Sequence, residues 1–309
     1  MPGRIVEVAQ ERRYLCISRG FMLVKDVTDG GAEVGRVPLD DIDAVIANAH
    51  GLSYSNNLLV ALAERGAPFV LCGDNHKPAG ILWPVDGNFQ QGRRFDAQLA
   101  ATRPLQKRLW AEIVRAKLQM QGAVLHAVKA PEAPLQALAA KVRSGDPDNL
   151  EAQGARRYWT LLFGPAFRRN RHAGDINALL NYGYTVLRAT TARAIIAAGL
   201  HPTLGIHHRN EGNAMRLVDD LMEPFRPVMD LLAWRLGQLG HTEINADTKS
   251  ILASAMYADM KTSSGATPLT VCLQRLATSL VGVYLGKRKA LALPRPTLPA
   301  TLINGAVSN

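Results

Sequence analysis

The hydrophobic period of this chain changes once, near Phe95, and that change constrains the fold more than any single motif does. Before it, apolar residues fall at every second position or in short runs. Arg4-Ile5-Val6-Glu7-Val8 and Tyr14-Leu15-Cys16-Ile17-Ser18 alternate, and residues 21–24, 33–39 and 44–47 continue in strand-like segments. A period of two sends successive side chains to opposite faces of a sheet, and Asp29-Gly30-Gly31 supplies turn chemistry between strands. One helix is expected over residues 56–65, followed by a buried strand over residues 68–72. Residues 73–88, with Pro78, Gly80, Pro84 and Gly87, read as a linker or exposed loop.

After Phe95 the period is 3.6: Leu105, Leu109, Ile113 and Leu118 lie near helical spacing, and further helices are expected from about Pro134, Asn149, Asp175, Asp220, Asp247 and Leu269. Residues 291–309 hold Pro294, Pro296 and Pro299 with little apolar periodicity and read as a loose tail. The fold class is therefore α+β, a small N-terminal β-rich domain over residues 1–88 followed by a larger all-α domain over residues 89–290. A chain of 309 residues is long enough for two cores.

Charge narrows the partners. The 36 Lys and Arg against 26 Asp and Glu leave a net charge of +10, which favours an anionic partner, nucleic acid first and an anionic membrane surface second. No apolar run approaches the roughly 18 residues of a membrane span, and the N-terminus lacks a secretion signal, so a cytoplasmic protein is expected. Three widely separated cysteines form no metal-type spacing, and no Gly-x-x-x-x-Gly-Lys-Ser/Thr loop points to ATP.

Within this basic chain two neighbouring segments concentrate imidazoles and carboxylates: Gly-Ile-His-His-Arg-Asn at 205–210 and Asp-Asp-Leu-Met-Glu-Pro-Phe-Arg-Pro at 219–227. Oxygen-rich clusters of this kind suit magnesium or manganese acting on phosphates. Each part also has an ordinary structural explanation. Glu151 heads a helical stripe with Ala155, Tyr158 and Leu162, yet Asp148 three residues earlier completes a capping-box pattern. Asp220 and Glu223 lie close enough on a helix to share a cation, yet Asp220 also reads as an N-cap, with Pro224 in the first turn. In that reading Glu223, Arg226 and Asp230 form a solvated face. Of His207 and His208, adjacent in an extended segment, at most one faces a given site. Basic residues cluster at Arg156-Arg157, Arg168-Arg169, Arg171 and Lys287-Arg288-Lys289, a set that phosphate contacts would explain.

The order of these motifs resembles that of the CRISPR-associated integrase family (Cas1). The matching segments are residues 149–159, Asp175-Ile176-Asn177 with Asn181-Tyr182-Gly183-Tyr184, Gly199-Leu200-His201-Pro202, residues 205–210, and residues 219–227 ending near Asp230. Ala67-Pro68-Phe69-Val70 fits in the β-rich part, and the wording is most similar to the type II branch. The resemblance implies a metal site of Glu151, His208 and Glu223 with Asp220 in support, a Mg2+ or Mn2+ cofactor, and His207 left to packing or a substrate contact. It implies attack by a DNA 3′-hydroxyl on a phosphodiester at the repeat edge, without a covalent protein intermediate or a nucleotide cofactor. It further implies a homodimer, with dimerisation assigned to the N-terminal domain, and two such dimers bridged by a dimer of a small subunit (Cas2) on double-stranded DNA. Arg157, Arg168, Arg171 and Arg209 are assigned to DNA contact. Two departures stand out: Gly154 inside the Glu151 helix, expected to weaken it slightly, and small residues at Gly212 and Ala214.

A second reading is a noncatalytic basic nucleic-acid-binding protein whose acids are helix caps. It predicts that alanine at Glu151 or Glu223 costs roughly 0.5–2 kcal/mol of stability. The integrase reading predicts little loss of folding and loss of manganese-dependent strand transfer. A zinc hydrolase lacks the His-Glu-x-x-His spacing.

Overall fold

A computed structural model of the chain describes residues 4–73, 78–82, 91–170, 174–262, 265–299 and 301–302. The N-terminal region runs β1 (Arg4–Val8), β2 (Arg13–Ser18), β3 (Phe21–Asp26), β4 (Glu33–Pro38), β5 (Ile42–Ala47), β6 (Ser53–Tyr54), α1 (Asn56–Glu64), β7 (Phe69–Cys72) and β8 (Pro78–Leu82). These strands form two four-stranded sheets, ordered β1-β5-β7-β8 and β4-β3-β2-β6. In the first, β1, β5 and β7 are parallel and β8 returns antiparallel to β7.

The period-two pattern sorts β5 between two cores. Val45 and Ala47 pack with Leu15, Met22, Leu58, Leu62 and Phe69 inside the N-terminal region. Ala44 and Ile46, with Val70 of β7, point the other way into the core of the helices. The first sheet is thus buried on both faces, as parallel strands usually are. Polar contacts reinforce the junction: Glu7 of β1 accepts hydrogen bonds from the Tyr182 hydroxyl and from Asn48 Nδ2 (2.6 Å), and pairs with Lys249 at 3.1 Å.

The loop expected after Cys72 contains β8. Pro78 and Gly80 disguise it, but Pro78 opens an edge strand, where a missing N–H is tolerated. Pro84 and Gly87 lie outside the described residues.

The remainder is mainly helical: α2 (Gln91–Leu99), α3 (Arg103–Ala127), α4 (Ala133–Lys141), α5 (Leu150–Phe163), α6 (Ile176–Ala197), α7 (Arg216–Met222), α8 (Arg226–Gln238), α9 (Ala246–Ser254) and α10 (Leu269–Tyr284). α3 packs on α4, α5 and α8, and α6 packs on α7, α8, α9 and α10. Against the all-α expectation, β9 (Asp259–Thr262) and β10 (Gly265–Pro268) form an antiparallel hairpin before α10. Its alternation, buried Met260 between exposed Asp259 and Lys261, is too short to stand out in the sequence.

Gly154 is a packing requirement. A Cβ there would lie 2.2 Å from Leu118 Cδ2, so the glycine lets α5 approach α3. The described part of the expected loose tail also packs: Leu291 and Leu298 are buried in the helical core, the Leu291 N–H donates to Glu112 Oε2 (3.0 Å), and the Ala292 N–H donates to Ser279 Oγ (2.9 Å). Its prolines erase periodicity without preventing an extended strap. No described helix is long and apolar enough to cross a membrane.

Candidate active site

An open cavity of about 740 Å³ lies among α3, α5, α6 and the α7–α8 junction, and Lys117, Glu151, Tyr184, Arg188, His208, Glu223, Arg226 and Asp230 are among its lining residues. Glu151, His208 and Glu223, expected from the resemblance, therefore face one space from three separate segments.

Glu151 sits in the first turn of α5 without capping it. Asn149 is the N-cap, in left-handed conformation (φ 50°), and its side chain accepts from the Ala152 N–H. The Asp146 carboxylate accepts from the N–H groups of Leu150 (2.9 Å) and Glu151 (3.0 Å). Asp148, the other half of the expected capping box, pairs instead with Arg143 at 2.8 Å on the surface. With the terminal N–H groups already satisfied, the Glu151 side chain is left for the cavity, where Oε1 accepts from the Lys117 ammonium.

Asp220 is not an N-cap either. It lies inside α7, fully buried, and its side chain reaches back to the preceding loop. Oδ2 accepts from the N–H groups of Ile206 (2.6 Å) and His207 (3.0 Å), while Oδ1 accepts from the His208 N–H (3.3 Å) and contacts its Nδ1 (2.7 Å). Gly205 permits this closeness, because a Cβ there would meet the His208 carbonyl oxygen at 2.8 Å and Asp220 Oδ2 at 3.0 Å. The bond to Asp220 raises the proton affinity of His208 against the opposing effect of burial. It also commits Nδ1, so Nε2 is the ring nitrogen available to a ligand. His207 turns away and stacks on Trp110, with centroids 4.1 Å apart and planes 4° apart, while remaining exposed.

Glu223 stands where α7 gives way to a 3-10 turn (Glu223–Phe225) before α8. Pro224 and Pro227 lack the N–H groups of a continuous helix, and the break turns Glu223 inward. The expected solvated face of Glu223, Arg226 and Asp230 does not exist: Glu223 is 6% exposed and Asp230 1%. Glu223 Oε2 pairs with Lys117 at 2.5 Å and Oε1 with Arg226 at 3.0 Å. Burial alone would push the Glu223 carboxyl up, but Arg226 and Lys117 outweigh it and hold the group below the usual range. Lys117 is the mirror case: burial disfavours its charge, and Glu223 and Glu151 more than restore it. Removing Glu223 would leave Lys117 with Glu151 as its one remaining carboxylate and take from part-buried Arg226 its ion-pair partner, so alanine there should cost more than the small loss expected.

Further out, Arg188 pairs with Asp219 at 2.8 Å and donates to Asn213 at 3.1 Å. Asp230 accepts from the Tyr184 hydroxyl at 2.5 Å, and burial pushes its carboxyl up to about 7. Of the arginines assigned to DNA, Arg157, Arg168 and Arg209 are exposed, and Arg171 lies outside the described residues. Arg168 folds onto the carbonyls of Pro165 and Phe167, and Arg209 donates to Gln106 at 3.1 Å. The cavity's own cations are Lys117, Arg169, Arg188 and Arg226. Lys117 had a signal in the sequence: a lysine between Val114 and Leu118 on the apolar stripe of α3, a position that requires partners.

Among the described residues no three His, Cys, Asp or Glu side chains converge on a point that could hold a metal ion as they stand. The donor set nevertheless fits a hard divalent cation. Two carboxylates already share a cation, the Lys117 ammonium, and an imidazole beside them is oriented by a buried carboxylate.

A protein-family model described as "CRISPR associated protein Cas1" matches residues 6–250. A CRISPR-associated endonuclease Cas1 of Neisseria meningitidis serogroup C is 36% identical over 285 residues, covering 91% of this chain and 92% of that protein. Among solved structures, a casposase bound to integration product superposes with a TM-score of 0.81 at 18% identity, covering 99% of this chain and 96% of that one. A Cas6-RT-Cas1–Cas2 complex superposes with a TM-score of 0.73 at 18% identity, covering 93% of this chain and 35% of that one. At such identities the structural likeness speaks for the fold.

Proposed function

The chain belongs to the Cas1 family of CRISPR-associated endonucleases and integrases, and from that premise we propose that it is a metal-dependent DNA integrase of the type II branch. It inserts spacer DNA into the repeat array by 3′-hydroxyl transesterification. The observation that carries this reading is the meeting of Glu151, His208 and Glu223 in one cavity of a strongly basic chain, with Asp220 fixing the imidazole.

Glu151, His208 and Glu223 would hold Mg2+ or Mn2+, which when bound polarises the scissile phosphate and stabilises the leaving oxygen. Asp220 keeps the His208 Nδ1 proton in place, so Nε2 presents its lone pair. Arg188, held by Asp219 and Asn213, and Arg226 supply positive potential where a phosphodiester would lie. The 3′-hydroxyl oxygen forms a bond to phosphorus as the bond to the 3′-oxygen of the nucleotide flanking the repeat breaks, and the proton lost by the attacking hydroxyl is balanced by the one the leaving oxygen takes up from solvent. One phosphodiester replaces another, so no nucleotide energy source is needed. The partners in this reading are double-stranded DNA and Cas2, with a homodimer formed through the N-terminal domain, two dimers bridged by a Cas2 dimer, and a cytoplasmic location. Among the structural neighbours, a complex that holds Cas1 together with Cas2 and a casposase bound to integration product support those partners. We also assign Arg157, Arg168, Arg171 and Arg209 to the DNA track. Against the noncatalytic alternative, neither Glu151 nor Asp220 nor Glu223 makes the cap hydrogen bond it assigns to them.

An integration assay with prespacer duplex, supercoiled repeat DNA and manganese, with and without the cognate Cas2, tests the reading. His208→Ala is the cleanest variant, because the side chain is 39% exposed and Asp220 keeps three backbone donors. It should fold and lose product by at least about 10³-fold. Full activity in that variant, or activity with zinc alone, contradicts the assignment.

A further inference from the structure

Among the described residues, Lys117 is the buried cation in contact with both glutamates, and no motif pointed to it. It rises from the apolar stripe of α3, 7% exposed, and its ammonium touches Glu151 Oε1 and Glu223 Oε2. A divalent ion bound by the same two oxygens would sit about 2.1 Å from each, inside the space the ammonium nitrogen fills. Two positive centres cannot share that point, because their repulsion is strongest where water is excluded. Resting on the assignment of Glu151 and Glu223 as metal ligands, we propose that Lys117 is a tethered stand-in for the metal. It holds the ligands together in the metal-free protein and is displaced when a divalent cation enters.

The neighbouring arginine makes the contrast. Arg226 pairs with Glu223 Oε1 at 3.0 Å and lies 4.8 Å over the Tyr184 ring, so it is held by the other oxygen of Glu223 and by an aromatic face. Lys117 has a flexible four-carbon stem ending in a compact charge, and the cavity opens beside it. Once displaced, the ammonium has room to reach a phosphate oxygen of bound DNA. Metal affinity is then an exchange constant, set by how firmly the lysine holds its two carboxylates. This also explains why the glutamates close on Lys117 instead of on a common point with His208.

The test is manganese binding to DNA-free protein, measured by titration calorimetry and by the manganese-dependent rise in melting temperature. It compares the wild type with Lys117→Gln, Lys117→Arg and Glu223→Gln. Lys117→Gln should melt lower without metal, bind Mn2+ on the order of tenfold more tightly, and show a larger metal-dependent rise. Lys117→Arg should bind no more tightly than the wild type. A lysine with only a structural role predicts unchanged or weaker binding in Lys117→Gln, and that result in a folded variant overturns the proposal. If Lys117→Gln folds only with Mn2+ present, the proposal stands. Whatever that variant does, the Lys117 13Cε resonance of the wild type, assigned with Lys117→Arg, decides independently. Saturating Mg2+ should move it toward the position of an exposed lysine, and a resonance that stays put sinks the idea. Manganese binding by the wild type but not by Glu223→Gln, without tightening in Lys117→Gln, removes the role of Lys117 alone. No binding by any folded form removes the metal-ligand assignment as well.

Discussion

Glu223 and Asp230 line the same cavity from one stretch of chain, both nearly sealed from solvent, yet they hold protons in opposite ways. Burial pushes both carboxyls up. At Glu223 that push is outweighed by Arg226 and Lys117 in direct contact, and the group stays anionic. At Asp230 the hydrogen-bond partner is the Tyr184 hydroxyl, the charges of Arg169 and Arg226 offset only part of the burial, and the carboxyl rises to about 7. The cavity thus has a cation-clamped end suited to ligation and a hydroxyl-bound end suited to holding a proton. Contact with a cation, not depth of burial, separates the two.

The largest effect expected from this difference is at Glu223. Glu223→Gln breaks a buried ion pair and should cost about 3–5 kcal/mol near neutral pH. Its folded-state affinity for a proton is depressed, so its stabilisation is present above the ordinary carboxylate range and is lost as pH falls through the folded value. Urea unfolding of wild type and variant should therefore converge in acid. A pH-independent gap would show that Glu223 is not held as an anion by its neighbours.

Asp230 should behave with the opposite sign and a smaller size. Its folded pKa near 7 lies above the ordinary 3.8, so the native state keeps a proton that the unfolded chain releases, and wild-type stability falls as pH rises between those values. Asp230→Asn lacks this penalty. Near pH 8 it should exceed the wild type by on the order of 2–4 kcal/mol, and the advantage should vanish toward pH 4. Parallel stability profiles for the two proteins would erase the distinction between the two ends of the cavity.

How far this was legible in the sequence depended on the range of the interactions. The alternation of β1, β2 and β5 and the 3.6 period of α3 and α6 are local, and both regions follow from them. β8 was hidden by Pro78 and Gly80, and the strap bearing Leu291 and Leu298 by its prolines. At the cavity, the segments carrying Glu151, His208 and Glu223 were recognisable by motif, but their partners were not. Capping of α5 by Asp146 and Asn149 displaced the Asp148 box, and the backbone N–H groups gathered by Asp220 belong to a loop a dozen residues earlier. Lys117 reaches Glu151 and Glu223 across the fold, so no spacing records the pairing. A lysine on an apolar stripe announces a need for a partner without naming it.

Gly154 offers the smallest and most local way to sharpen the comparison. Its contact with Leu118 is one residue removed from Lys117 on α3 and three from Glu151 on α5, so it sets the helix spacing at the clamped end. Gly154→Ala gains about 1 kcal/mol of helix propensity, but a Cβ 2.2 Å from a fully buried Leu118 overpacks the contact. Overpacking costs typically 1–3 kcal/mol, so the net loss should be about 0–2 kcal/mol. Leu118→Ala, costly by itself, should cost less in the Gly154→Ala background, because each change relieves the other. The manganese affinity should weaken in Gly154→Ala as Glu151 is carried away from Glu223 and His208, while the pH profile contributed by Asp230 stays unchanged. Strict additivity of the two substitutions would mean that α5 is not held against α3 by this contact. A shift in the Asp230 profile would mean that the two ends of the cavity move as one.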